Sequence, residues 1–136
     1  MGITGTGVVR VFESQQQFLS TQAVWIGDSG LLDLNGYSQT LQSLRLAAQI
    51  NSGATNSNPT NGGGTVQTGA GTLTLTNGGT AVAIAYHGDG ANYTNTMSTI
   101  SGNVYLSHTG NKTIQTCDGS QPIDMTISAA ISANAG

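Results

Sequence analysis

The stretch Leu31-Leu32-Asp33-Leu34-Asn35-Gly36-Tyr37-Ser38-Gln39-Thr40-Leu41-Gln42-Ser43-Leu44-Arg45-Leu46 decides the fold class. Its two apolar runs, residues 31–34 and 41–46, interleave leucines with polar residues, the two-residue period of a strand with one buried face. Asn35-Gly36 between them supplies the positive-φ positions that a tight turn requires. No helical apolar period runs through the stretch, so strand, turn and strand is its reading.

The same texture extends outward from there. Ala23-Val24-Trp25-Ile26, Thr72-Leu73-Thr74-Leu75-Thr76, Ala81-Val82-Ala83-Ile84-Ala85-Tyr86, Asn103-Val104-Tyr105-Leu106, Thr113-Ile114-Gln115-Thr116 and Met125-Thr126-Ile127-Ser128 are further strand-like runs, separated by Gly, Asn, Ser and Asp. Residues 51–64 contain one Ala and nothing larger that is apolar, so they are expected as an exposed loop, with residues 87–92 as a second, more polar one. Ahead of Thr21 the texture differs. Val8-Val9-Arg10-Val11-Phe12 reads as a strand, and residues 14–19 as a single helical turn N-capped by Ser14, with Phe12 packing toward Phe18. One domain of residues 1–136 is expected, in which residues 1–23 act as an N-terminal cap or pairing segment.

Composition narrows the function classes. Charged residues make up 7% of the chain, where an ordinary globular protein carries about 25%. Ser, Thr, Asn and Gln supply 53 residues and Gly another 20. Three cations, Arg10, Arg45 and Lys112, build no phosphate-binding surface, which argues against nucleic acid. No apolar run approaches the roughly 20 residues that span a bilayer, and no basic stretch followed by an apolar core marks a signal peptide. Such a composition suits an uncharged, extracellular or cell-surface β-rich protein and argues against an enzyme.

Repetition adds a second signal. Leu32, Leu73 and Ile114 are evenly spaced, Gly30 and Gly71 hold the same offset, and Thr68-Gly69 recurs at that offset as Thr109-Gly110. A repeat of this length, holding several short strands, fits two coils of about 20 residues each in a β-solenoid. Leu32, Leu34, Leu73, Leu75 and Ile114 would then stack inward in rows. An antiparallel β-sandwich with regular hairpins is the alternative.

Leu32-Asp33-Leu34-Asn35-Gly36-Tyr37-Ser38-Gln39-Thr40-Leu41-Gln42-Ser43-Leu44 resembles the LDLNGxxQTLxSL segment of passenger domains built from autotransporter-associated β-strand repeats. Gly71-Thr72-Leu73-Thr74-Leu75-Thr76-Asn77-Gly78-Gly79 is similar to their GTLTLxNGG, and Ile100-Ser101-Gly102-Asn103-Val104-Tyr105-Leu106-Ser107-His108-Thr109-Gly110 resembles ISGNVxLxKTG, with His108 where the family usually has Lys. Residues 127–136 resemble the lead-in to a further unit. The resemblance implies a right-handed parallel β-helix in a secreted or surface-anchored protein, acting as a stalk or adhesive shaft. It implies no catalytic residues.

Chemistry-bearing residues are sparse. The pairs Asp28 with Asp33 and Asp118 with Asp124 have no basic neighbour in sequence and read as solvated turn aspartates. Cys117 has no partner in the chain and reads as a small, half-buried residue. His87 and His108 are separated by roughly one such coil and could stack on one face, but exposed turn residues are the ordinary reading, and neither a metal nor a cofactor is expected. No Gly-x-Ser-x-Gly elbow is present. Trp25, Tyr37, Tyr86, Tyr93 and Tyr105 would supply a sugar-stacking strip. Tyr86 and Tyr93 bracket the loop carrying His87 and Asp89, which makes these four the candidate glycan contact.

The expected function is therefore a non-enzymatic structural module, an adhesin stalk or filament subunit. Its expected partner is a second copy, stacked end to end, because residues 127–136 carry no charge and no Pro to block strand addition. A carbohydrate-binding β module, or a small polysaccharide-active β-helix such as a phage tail-spike-like domain, is the alternative.

Overall fold

The computed structural model describes residues 1–3, 5–27, 29–46, 63–77, 97–112, 114, 122–123 and 125–134. Alternation of apolar and polar residues becomes ten strands there: β1 (Gly2–Ile3), β2 (Val8–Arg10), β3 (Ala23–Ile26), β4 (Leu31–Asp33), β5 (Gln39–Leu41), β6 (Ser43–Leu46), β7 (Thr65–Leu75), β8 (Ser98–Leu106), β9 (Met125–Ile127) and β10 (Ala130–Ala133). No helix occurs among the described residues. The strands form a three-stranded sheet, β1-β3-β6, and a larger one ordered β10-β8-β7-β4-β2, with β5 also on β7 and β9 also on β8.

Every pairing between these strands is parallel. That overturns the antiparallel sandwich, since hairpin neighbours would run in opposite directions. The registers stack like residues on like. Val9, Leu32, Val66, Ile100 and Ile127 form one row across β2, β4, β7, β8 and β9. Leu41, Leu75 and Leu106 form a second, Leu73, Val104 and Ile131 a third, and Ile3, Ile26 and Leu46 a fourth on the smaller sheet. These rows supply most of the apolar core. Burying each such side chain stabilises the fold by about 1.5–3 kcal/mol.

The evenly spaced stacking of Leu32, Leu73 and Ile114 is corrected by these registers. Leu32, Leu34, Leu73 and Leu75 are buried as expected. Yet Leu32 lies opposite Val66, while Leu73 lies between Gln39 and Val104. Ile114 is 40% exposed rather than inward. The reason is that no constant period exists. Val9 meets Leu32, Val24 meets Leu44, Leu32 meets Val66 and Ile100 meets Ile127, all unequal steps along the chain. The length of chain spent between strands changes at each pass, so equal sequence spacing does not give stacking.

Three local expectations also change. Residues 14–19 form bends, not a helical turn, because this segment bonds across to β5 instead of along its own backbone. Phe12 is 72% exposed, while Phe18 packs against the core. The expected loop 51–64 lies outside the described residues except for Gly63 and Gly64, which are buried. A Cβ on Gly64 would sit 2.5 Å from Ile26 Cγ2, so the absence of a side chain is what lets the chain return against β3.

A corner divides β7 and β8. The register slips between Gln67 and Thr72, where β7 carries extra residues relative to β8. Buried Thr68 accepts the Asn103 amide on its hydroxyl at 2.8 Å, and Gly102 turns the chain there at φ +96°. A Cβ at Gly102 would collide with Thr68 Oγ1.

Candidate functional site

Because side chains alternate across a strand, the outer face of the small sheet is written by every second residue. Gly2, Trp25 and Arg45 are register partners on adjacent strands, and Ala23 and Ser43 form the next pair along. Small residues beside large ones leave a groove of about 490 Å³, open to solvent, lined among the described residues by Met1, Gly2, Ala23, Trp25, Ser43 and Arg45. Trp25 is half-buried. Its benzo edge occupies the space over Gly2, where a Cβ would come within 2.7 Å of Cε3. The Trp25 amide donates to the Met1 carbonyl at 2.9 Å, and the Met1 nitrogen donates to the Ala23 carbonyl at 2.8 Å, so β1 is tied along its length to β3.

A second polar cluster lies on β2, β4 and β7. Arg10, Asp33 and Gln67 occupy one register position. Arg10 Nε donates to Asp33 Oδ2 at 2.7 Å, and the Asn35 amide donates to Oδ1 at 2.8 Å. Burial alone would raise the Asp33 carboxyl. The Asn35 amide, the Arg10 guanidinium and the Gln67 side chain together outweigh it and hold the group below its ordinary value. This corrects the reading of Asp33 as a solvated turn aspartate without a basic partner. The partner, Arg10, is remote in sequence and stands at the same register position on β2.

The edges form the third region. Gln16 Nε2 donates to the Thr40 carbonyl at 2.7 Å while its Oε1 accepts the Thr40 amide at 2.8 Å. Buried Gln39 accepts the Gln17 amide at 2.7 Å and donates to the Gln15 carbonyl at 3.0 Å. Glutamine side chains thus take the place of a strand along the outer side of β5. At the far end, β10 is exposed at all its residues and uncharged. Ile131, last in its row, is 42% exposed, whereas Leu73 and Val104 are buried.

Of the sequence-derived candidates, Tyr86, His87, Asp89 and Tyr93 lie outside the described residues, as do Asp28, Cys117, Asp118 and Asp124. His108 follows β8 and packs over Gly110. The described aromatics do not share one strip. Trp25 is on the small sheet, Tyr37 packs against the core at the turn after β4, and Tyr105 on β8 donates its hydroxyl to Asn134 Oδ1. Among the described residues, no three His, Cys, Asp or Glu side chains gather as a metal site. Sequence reasoning missed the Trp25–Arg45 juxtaposition, whose only signal was that both residues stand third in short strands of equal length. In comparisons with known proteins, no family model, curated protein or solved structure matches the chain.

Proposed function

We propose that this chain is a non-enzymatic structural module, a right-handed parallel β-helix serving as shaft or filament subunit of an extracellular or cell-surface assembly and stacking end to end with copies of itself. The observation that carries the reading is the way the stacked rows stop. Leu73 and Val104 are fully covered by neighbours, and Ile131, the next in line, has its outer side open on an edge strand without charge or Pro. Natural sheet edges are usually blocked by Lys, Pro or bulges, so an edge without them favours addition of another strand. The neighbouring row runs from Val9 on β2 to Ile127 on β9, so its two ends are apolar as well. Joining the β9 and β10 end of one copy to the β2 end of the next is a head-to-tail contact, which propagates as a filament unless its rotation closes a ring. With a net charge of −3, repulsion between copies is weak. The motif likeness at residues 32–44 and the shortage of charge favour the same surface role.

Light scattering across a concentration series tests the proposal. Mass is expected to rise with concentration, and Ile127→Lys with Ile131→Lys is expected to hold the protein monomeric without loss of its β spectrum. A wild-type chain that stays monomeric at the highest attainable concentration would refute end-to-end stacking.

A further inference from the structure

We infer that Lys112 and Asn134 become joined in the folded protein by an isopeptide bond, formed when the Lys112 amine attacks the Asn134 side-chain carboxamide and ammonia leaves. The inference stands apart from end-to-end stacking, since it concerns how β10 is held within one chain.

Register brings the groups together. Ser132 lies opposite Tyr105 and Ala133 opposite Leu106, so Asn134, next along, arrives beside Ser107. Its backbone amide continues the ladder by donating to the Leu106 carbonyl at 3.3 Å. Its side-chain Nδ2 donates to the Ser107 carbonyl at 2.5 Å, and its Oδ1 accepts the Tyr105 hydroxyl. A carbonyl only accepts, so the nitrogen of this carboxamide is the atom that faces Ser107 and the oxygen the one that faces the phenol. After β8 the chain bends at Thr109 and Gly110 and brings Lys112 to the same place, where its Nζ donates to the Asn134 backbone carbonyl at 3.1 Å. Tyr105, Ser107, Lys112 and Asn134 are all half-buried.

These are the parts that an acyl transfer needs. The unprotonated Lys112 amine is the nucleophile, and the bond that forms runs from Nζ to Asn134 Cγ. Tyr105 donates to the oxygen on which negative charge develops, as an oxyanion donor does. The bond that breaks is Cγ–Nδ2, and Nδ2 leaves as ammonia with the proton that Nζ gives up. No oxidant, reductant or further reactant is consumed. Nζ already touches the reacting residue, and its flexible four-carbon stem lets it pass from the backbone carbonyl to the carboxamide beside it. Holding amine and carboxamide together in this way replaces a rare encounter with an intramolecular step. The product has a structural use. All four residues of β10 are exposed, so burial holds this strand weakly, and a covalent tie across 22 residues of chain keeps it on β8 when its ladder opens.

Intact-mass spectrometry tests the inference. The wild-type chain is expected to be lighter than its sequence mass by one ammonia, whereas Lys112→Arg and Asn134→Ala are each expected at full mass. Tyr105→Phe is expected to leave a fraction of the chain at full mass. Lys112 is the only lysine, and trypsin cuts after it only while its amine is free. Digestion of the denatured wild type is therefore expected to leave residues 113–136 attached to the rest, and digestion of Lys112→Arg to release them. Far-UV circular dichroism checks that each variant is folded, and the two wild-type measurements decide even where a variant does not fold. A wild-type chain at its full sequence mass, tryptic release of residues 113–136 from it, or an ammonia loss that persists in Lys112→Arg would each overturn the inference.

Discussion

The outer side of β5 and the outer side of β10 pose the same physical problem and solve it differently. Each strand has one side paired in parallel, β5 on β7 and β10 on β8. On β5 the Thr40 backbone meets a side-chain amide, Gln16 both accepting from and donating to it, and the Gln39 side chain reaches back to the backbone of residues 15 and 17. On β10 every residue is exposed, and Ile131 carries an apolar row to the margin. Amides can therefore satisfy a strand edge without extending it, because a primary amide presents both a donor and an acceptor, as a peptide group does. An edge closed this way accepts no further strand. An edge left open keeps its backbone groups available to one.

The contrast is tested most severely in the interior, where both edges inherit their order. Leu73→Ala is expected to cost roughly 2–5 kcal/mol in urea unfolding, since Leu73 is fully buried between Gln39 and Val104, whereas Ile131→Ala at the margin should cost well under half as much. Equal costs at the two positions would show that the row does not end at β10. The corner between the two halves of β7 and β8 comes next. Gly102→Ala must hold φ +96° and push Thr68 away from the Asn103 amide, an expected loss of about 1–3 kcal/mol.

Removing the amide closure is a third way to break the comparison. Gln39→Leu keeps the apolar neighbours but orphans the Gln17 amide and the Gln15 carbonyl, for an expected loss of about 1–3 kcal/mol. Hydrogen exchange of the Gln17 amide should accelerate, and light scattering should show stronger association as residues 14–18 loosen from β5. An unchanged exchange rate would mean that the glutamines do not close that edge.

Acid sharpens the picture further. The Asp33 carboxyl is held below its ordinary value of 3.8, so the native state favours its ionised form. Its contribution is complete above that value and drains away as pH falls through the lower, folded pKa. Stability measured against pH should therefore bend downward below about 3.8, and Asp33→Asn should flatten that bend. The smallest effect on stability is expected from Ile131→Lys, within about 0.5 kcal/mol at an exposed edge, although it should abolish association.

Residues 14–19 show why local patterns mislead. Ser14 ahead of three glutamines has the look of a capped helical turn, but glutamine amides that find backbone partners on β5 hold the segment in bends. The end of the expected loop departs from its reading for a similar reason: Gly63 and Gly64 bear no side chain to announce that they are buried, Gly64 against Ile26 of β3. The long strands β7 and β8 are legible only in their second halves, where Thr72-Leu73-Thr74-Leu75 and Asn103-Val104-Tyr105-Leu106 alternate clearly.

What the amino-acid order determined by itself is the all-β class and the inward side of nearly every strand. Leu32, Leu34, Leu73 and Leu75 are buried where alternation put them, because a strand's two-residue period is a local property, whereas Leu41 and Leu44, out of phase with each other, are both buried because the chain passes from one sheet to the other at Gln42. The tertiary structure alone decided which strands lie side by side, and in which register. Arg10 meets Asp33, Trp25 meets Arg45 and Thr65 meets Thr99, each pair across a different length of chain. Those offsets depend on how much chain each turn and loop consumes, and the alternation of apolar and polar residues is blind to that length.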